Sequence, residues 1–202
     1  MKRLLVSAAI AASILVPTAA AAQALPPAVV AVVDLEKIQA TCTACKAASA
    51  AFTSQENAIK ARQTALDTPL QTEARAIQTA INALPQGAEP DAALTARINA
   101  FKQKGEARDT ELNSRAQQYQ RNRAYVTQQI QAKLYPIYQQ VMQRRGANVL
   151  VEMGATLGTA AALDVTNDVL TALNTQLPSV VTVAPAAAAA PARPKPQQPQ
   201  GR

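Results

Sequence analysis

The chain has 202 residues and looks half hydrophobic at 49%, but 46 of the apolar residues are Ala and only 3% of the chain is aromatic, with no Trp. Rings that each bury about 150–250 Å² are nearly missing, so a thick core is excluded. The chain has no His, which removes the commonest general base and metal ligand, and its 20 basic against 13 acidic residues leave a charge of +7 that suits a polyanionic or membrane-surface partner.

Residues 1–22 run from Met1-Lys2-Arg3 through an apolar stretch to Ala20-Ala21-Ala22. This basic, apolar, small-residue order predicts a secretory signal cleaved near Gln23, and the apolar stretch is too short to span a bilayer. The mature protein is expected to be soluble and exported. Residues 28–35, AVVAVVDL, are β-branched and read as a short buried strand. Cys42 and Cys45 follow as a C-x-x-C pair, the only two cysteines. In an oxidising compartment a local disulfide is the favoured reading; free or interchain thiols, redox work and half a zinc site remain as alternatives, and no thioredoxin-like context or further ligand set surrounds the pair.

From about residue 45 the pattern turns helical. Phe52, Ile59 and Leu66 are seven apart, as are Leu70, Ile77 and Leu84 after a four-residue step, which predicts a coiled-coil-like seam with one stutter. Thr68-Pro69 at the stutter suggests a kink or restart. Residues 85–90 are a breaker cluster, and Asp91 caps a second helix that continues to about Arg145, with Gly105 and Pro136 inside it. Gly105 marks either a flexible point or a close helix contact, and Pro136 a bend near the base. Seam positions Gly105, Arg108, Arg115 and Asn122 are ones that a tightly zipped coiled coil would not choose. Two helices joined by so short a turn are antiparallel, so residues 45–145 form an α-hairpin arm about 60 Å long.

After Gly146 the strand character returns in residues 147–153 and, more weakly, in 156–162; then Asp164 or Thr166 caps a short helix to Leu177. The fold class is therefore α+β and mostly α: the arm projects from a small discontinuous β-rich body, residues 23–44 and 146–177. That body is too small to stand alone and has open strand edges, so self-association is expected. Residues 178–202 hold 6 of the 13 prolines and read as a disordered Pro/Ala-rich tail.

The strand AVVAVVDLEKI, the basic hairpin and the segment GANVLVEMGATLGTAAALDVTNDVLTALN together resemble the periplasmic chaperone family Skp or OmpH. The resemblance implies a jellyfish-like homotrimer that holds unfolded outer-membrane proteins between its arms without ATP. Val29, Val30, Val32, Val33, Val149, Leu150 and Val151 would then lie in the oligomerisation body. The arm has 14 basic and 8 acidic residues between Lys46 and Arg145. The collective candidates for binding unfolded chains are Leu94, Ile98, Phe101, Leu112 and Tyr119 with Arg97, Lys102, Lys104, Arg108, Arg115, Arg121 and Arg123, and an anionic membrane surface is a further partner of such a charge. No catalytic constellation, cofactor or metal site is expected, and export separates the protein from nucleic acid. The alternative is a structural envelope protein or adaptor whose hairpin pairs with a partner's helices.

Overall fold

The computed structural model describes residues 25–185. The expected signal and the tail beyond residue 185 lie outside the described residues. Strand β1 (Val30–Val33) is shorter than the predicted 28–35, because Asp34 turns the chain instead of extending it. Its carboxylate accepts from the Lys37 amide at 2.8 Å and starts helix α1 (Leu35–Thr41). This helix ends at Cys42, whose sulfur accepts from the Cys45 amide at 2.9 Å and so caps helix α2 (Thr43–Asn82). Cys42 and Cys45 are disulfide-bonded, with Cα atoms 5.1 Å apart. The pair clasps the corner between the two helices, and Cys42 is fully buried there.

Helix α2 runs through Pro69 as one helix, so the expected break or restart is absent. Thr68 caps nothing; its hydroxyl donates to the Thr64 carbonyl at 2.9 Å. The physical reason is that Leu66 and Leu70, one turn apart, share a face of the helix and both stay in the seam, while Pro69 is exposed and forfeits a single backbone bond. Every expected seam residue of α2, from Phe52 through Ile59 and Ile77 to Leu84, is buried or half-buried. The turn uses Gly87 at φ 81, and the Asp91 carboxylate accepts from the Leu94 amide at 2.7 Å to begin helix α3 (Ala92–Arg145). Helix α3 is likewise unbroken at Pro136 and stops at Gly146, φ 66, with Arg144 and Arg145 in its last turn. Gly105 does not mark a close helix contact, since a Cβ built there meets nothing within 4 Å.

The arm leaves and re-enters the body at neighbouring points. Strand β2 (Val149–Glu152) pairs in parallel with β1, Val30 opposite Val149 and Val33 opposite Glu152. Asn148 sets this register: its side-chain oxygen accepts from the Val29 amide at 2.7 Å and its amide nitrogen donates to the Pro27 carbonyl at 2.8 Å. The weaker predicted strand at 156–162 does not form, nor does a hairpin at Gly154; small residues without partners leave two single helical turns, Met153–Ala155 and Ala161–Leu163, joined by a loop. In its place the chain touches the other side of β1 at one bridge, Val32 with Asp164. Helix α4 (Thr166–Gln176) follows. The fully buried Thr166 ties three segments together: its hydroxyl accepts from the Asp34 amide at 2.9 Å and donates to the Asp164 carboxylate. That donation holds the Asp164 carboxyl below the usual carboxylate range.

The core is a thin cluster at the base of the arm, where Val33, Ile38, Ile137, Val141, Val169 and Leu173 meet around the disulfide. Leu173→Ala at this cluster should cost about 2–5 kcal/mol in urea unfolding, whereas Ile81→Ala near the arm's tip, which is 38% exposed, should cost far less. Gly105→Ala has room for its methyl group and should stabilise the protein by about 1 kcal/mol in the same measurement. Alkylation of the unreduced protein should leave both cysteines unmodified.

Candidate functional site

The candidate binding residues lie on α3, and their environment follows from how it packs on α2. Leu94, Ile98, Phe101, Leu112 and Tyr119 are half-buried. They line the seam between the limbs and do not form a free apolar face. Tyr119 packs edge-on to Phe52 with ring centroids 5.9 Å apart, donates its hydroxyl to the Glu56 carboxylate and carries the Arg123 guanidinium 5.9 Å from its ring centre.

Three forked ion pairs cross the seam in antiparallel register. Arg62 grips Glu111 through two bonds of 2.8 Å, Arg108 grips Asp67 at 2.8 and 3.2 Å, and Arg97 grips Glu73 at 2.6 and 3.1 Å. Arg115 adds a bond from one turn away to Glu111, and Arg108 a second to Asp109. Arg97, Arg108 and Arg115 are therefore already bonded within the arm. Arg121 donates to the Gln118 side chain, and its Nε is buried without a partner. Lys102, Lys104 and Arg123 remain exposed. Bidentate geometry suits Arg with a carboxylate, and here it holds a seam too poor in large side chains to zip by packing alone. Midway along, the limbs part around a cavity of about 400 Å³ whose apolar walls include Leu66, Pro69, Leu70 and Ala107 and whose rim carries Lys104 and Glu111.

Nearer the base the structure departs from the sequence reading. Residues 178–185, assigned to the disordered tail, run as a strap along the hairpin, without helix or strand and bent at Pro178 and Val183. The Val181 amide donates to Gln129 Oε1 at 3.0 Å while Gln129 Nε2 donates to the Val181 carbonyl at 2.9 Å. The Ala184 amide donates to Asn122 Oδ1 at 2.8 Å, Gln118 Nε2 reaches the Ala184 carbonyl at 3.3 Å, and Gln55 Nε2 reaches the Thr182 carbonyl at 3.1 Å. Proline content concealed this segment, because Pro178 and Pro185 flank a β-branched run that can pair. The one signal in the sequence was Asn122, a polar residue at a seam position, which is 4% exposed and whose Nδ2 donates to Gln55 Oε1 at 2.8 Å.

The residues expected in the oligomerisation body divide into two groups. Val32 and Val33 are buried in this chain's own core, whereas Val29, Val30 and Val149 are exposed and Leu150 and Val151 half-buried. The outer edge of β2 has no strand partner among the described residues. Among those residues no group of three or more Cys, Asp or Glu side chains is placed to hold a metal ion, and no helix is long and apolar enough to cross a membrane.

The ion pairs make the arm sensitive to acid. Hydrogen bonds from Arg62 and then Arg115 lower the Glu111 carboxyl to about 2, and Arg108 and Arg97 lower Asp67 and Glu73 in the same direction. Because the folded values lie below the unfolded ones, this stabilisation is complete only above about pH 5 and is lost progressively as pH falls towards 2. A carboxyl-carbon NMR titration should place Glu111 near 2 in the folded protein and at the ordinary glutamate value in Arg62→Met/Arg115→Met; an ordinary value in the parent chain would mean that the fork does not persist in solution.

Residues 29–173 match the family described as Outer membrane protein (OmpH-like). No curated protein matches the chain. Among solved structures, the crystal structure of a candidate outer membrane chaperone (OmpH-like) from Caulobacter crescentus CB15 superposes with a TM-score of 0.65 at 21% identity, covering 77% of this chain and 90% of that one. It has the same fold, a long helical arm on a small sheet. With the family match spanning well over half of its length, this chain belongs to the OmpH-like outer membrane protein family.

Proposed function

We propose that the protein is an exported, ATP-independent holdase that keeps unfolded outer-membrane protein precursors from aggregating in the periplasm, acting as a homotrimer without enzymatic chemistry. The observation that carries this reading is the division of the molecule in two: an arm whose polar, net-basic surface exposes Lys102, Lys104 and Arg123 and opens into a mid-arm cavity, and a base that leaves an apolar strand edge uncovered. Membership of the OmpH-like family supports it. A holdase needs many weak contacts in place of one deep pocket; Leu66, Pro69, Leu70 and Ala107 can supply apolar contacts where the limbs part, and the half-buried Leu94, Ile98, Phe101, Leu112 and Tyr119 can add to them along the seam. Exposed cations attract acidic unfolded chains, or an anionic membrane surface, over about 8 Å at physiological salt.

Assembly would use the base. Val30 and Val149 face each other across the strand pair and are 37% and 38% exposed, beside the free edge of β2. Burying that edge against another copy satisfies its backbone groups and removes an aggregation-prone surface. Arms set side by side then enclose a space for the client.

Light scattering of the mature chain should give three times the monomer mass, and Val30→Lys/Val149→Lys should reduce it to a monomer that keeps its helical circular dichroism. The parent chain should also suppress aggregation of a urea-unfolded β-barrel protein on dilution, and Lys102→Glu/Lys104→Glu/Arg123→Glu should weaken this, most clearly at low salt. A tight stoichiometric complex with one folded helical partner, and no affinity for unfolded chains, would instead support the adaptor reading.

A further inference from the structure

The strap shows what the arm can bind. Its hydrogen bonds to the hairpin are all made by main-chain groups: both polar atoms of Val181, both of Ala184 and the carbonyl of Thr182 are paired with side-chain amides of Gln129, Asn122, Gln118 and Gln55. The amides are ordered among themselves, since Gln118 Nε2 donates to Asn122 Oδ1 at 2.7 Å and Asn122 Nδ2 to Gln55 Oε1. Gln129 presents a carbonyl and an N–H to one residue, as a neighbouring β-strand would. Side chains alternate accordingly: Val180, Thr182 and Ala184 are half-buried towards the hairpin, while Val181 and Val183 point outward at 57% and 59% exposure. No charged side chain takes part in these bonds, and the inward residues are small or β-branched.

We propose that this groove is a binding site for the extended backbone of an unfolded polypeptide, with small or β-branched residues at alternate positions, and that residues 181–184 occupy it as an internal stand-in which the client displaces. The inference rests on the holdase reading and supplies that reading with a chemistry. Backbone N–H and C=O groups are common to all sequences, so a surface that pairs with them accepts many clients, and the pattern of alternate apolar residues is that of a membrane β-strand. The groove belongs to the arm while its occupant belongs to the chain after α4, so the occupant can leave without breaking the core cluster. The buried, unpartnered Nε of Arg121, one turn from Gln118 and Tyr125 on the same helix, is a further donor beside the groove that the strap does not use.

The test uses the full mature chain, a version opened by Val181→Pro/Ala184→Pro, and a fluorescent synthetic peptide with the sequence of residues 178–185. Proline removes the two strap N–H donors and tolerates an extended backbone. Circular dichroism verifies that each variant is folded. The peptide should bind the opened chain at least about tenfold more tightly than the parent, the equivalent of two net hydrogen bonds freed for it. Adding Gln129→Leu to the opened chain should reverse this gain, and unlabelled peptide should displace a urea-unfolded β-barrel protein from it. Equal peptide affinity for opened and parent chains, or peptide binding that leaves the β-barrel protein in place, would overturn the groove while leaving the holdase reading intact if aggregation is still suppressed. Loss of suppression in both chains would overturn the holdase reading, and the peptide titration, which needs no client, would still decide whether the groove reads an extended backbone.

Discussion

The parallel pairing of Val30–Val33 with Val149–Glu152 is the constraint on which the rest of the molecule depends. It joins residues 119 apart, as in the bond between Val29 and Asn148, and everything between them must leave the body and return to the same place. A flexible loop of that length would close only at an entropic cost, although one that grows slowly with length. Two antiparallel helices accomplish the return with local bonds instead, which is why the capped ends at Asp91 and Gly146 matter as much as the strands. The body then needs little: Thr166 bonded to Asp34 and Asp164, Asn148 bonded to the backbone of Pro27 and Val29, and a core one layer thick.

An arm built from so many small residues cannot be held by packing alone. At the base, where Val126, Leu134, Ile137 and Val141 are buried, apolar contact dominates; further out the seam is half-buried and the forked pairs Arg62–Glu111, Arg108–Asp67 and Arg97–Glu73 take over. Exposed ion pairs each contribute little, but a bidentate fork fixes the register of two helices and leaves their surfaces wet. The arm can therefore stay extended without a continuous apolar stripe, which would aggregate. The same choice removes Arg97, Arg108 and Arg115 from the pool of free cations and leaves the lysines with Arg75, Arg123 and Arg144 as exposed positive charge on the arm.

Side-chain amides perform one task at two places. Asn148 pairs with the chain entering β1, and Gln129 with Asn122 pairs with the strap. Both hold an extended segment by its main chain, independent of its side chains. In the body this pins a permanent register. On the arm it holds residues 181–184, which lie beyond the last core contact at Val180, and that difference in anchoring separates a structural contact from an exchangeable one.

Much of this was legible along the chain. Apolar residues seven apart located the seam from Phe52 to Leu84, Asp91 and Gly146 marked helix ends through capping chemistry, and the β-branched runs named both strands, because each is a local pattern that packing then obeys. Three features were not legible. Pro69 suggested a break, but Leu66 and Leu70 on either side of it share one half-buried face of a continuous helix. The cations at 97, 108 and 115 had unassigned partners, since which carboxylate lies opposite depends on the register of two helices. The strap at 178–185 was hidden by its prolines, and the buried Asn122 hinted at it without saying what it bonded to. What the sequence by itself determined was the two long helices of the hairpin, the two strands that pair and the closing helix, all set by short-range periodicity and caps, while α1 and the failed strand at 156–162 escaped it. Only the tertiary structure decided which charges are spent within the arm and where the chain after α4 goes, because those depend on contacts between residues tens of positions apart, for which no local pattern exists.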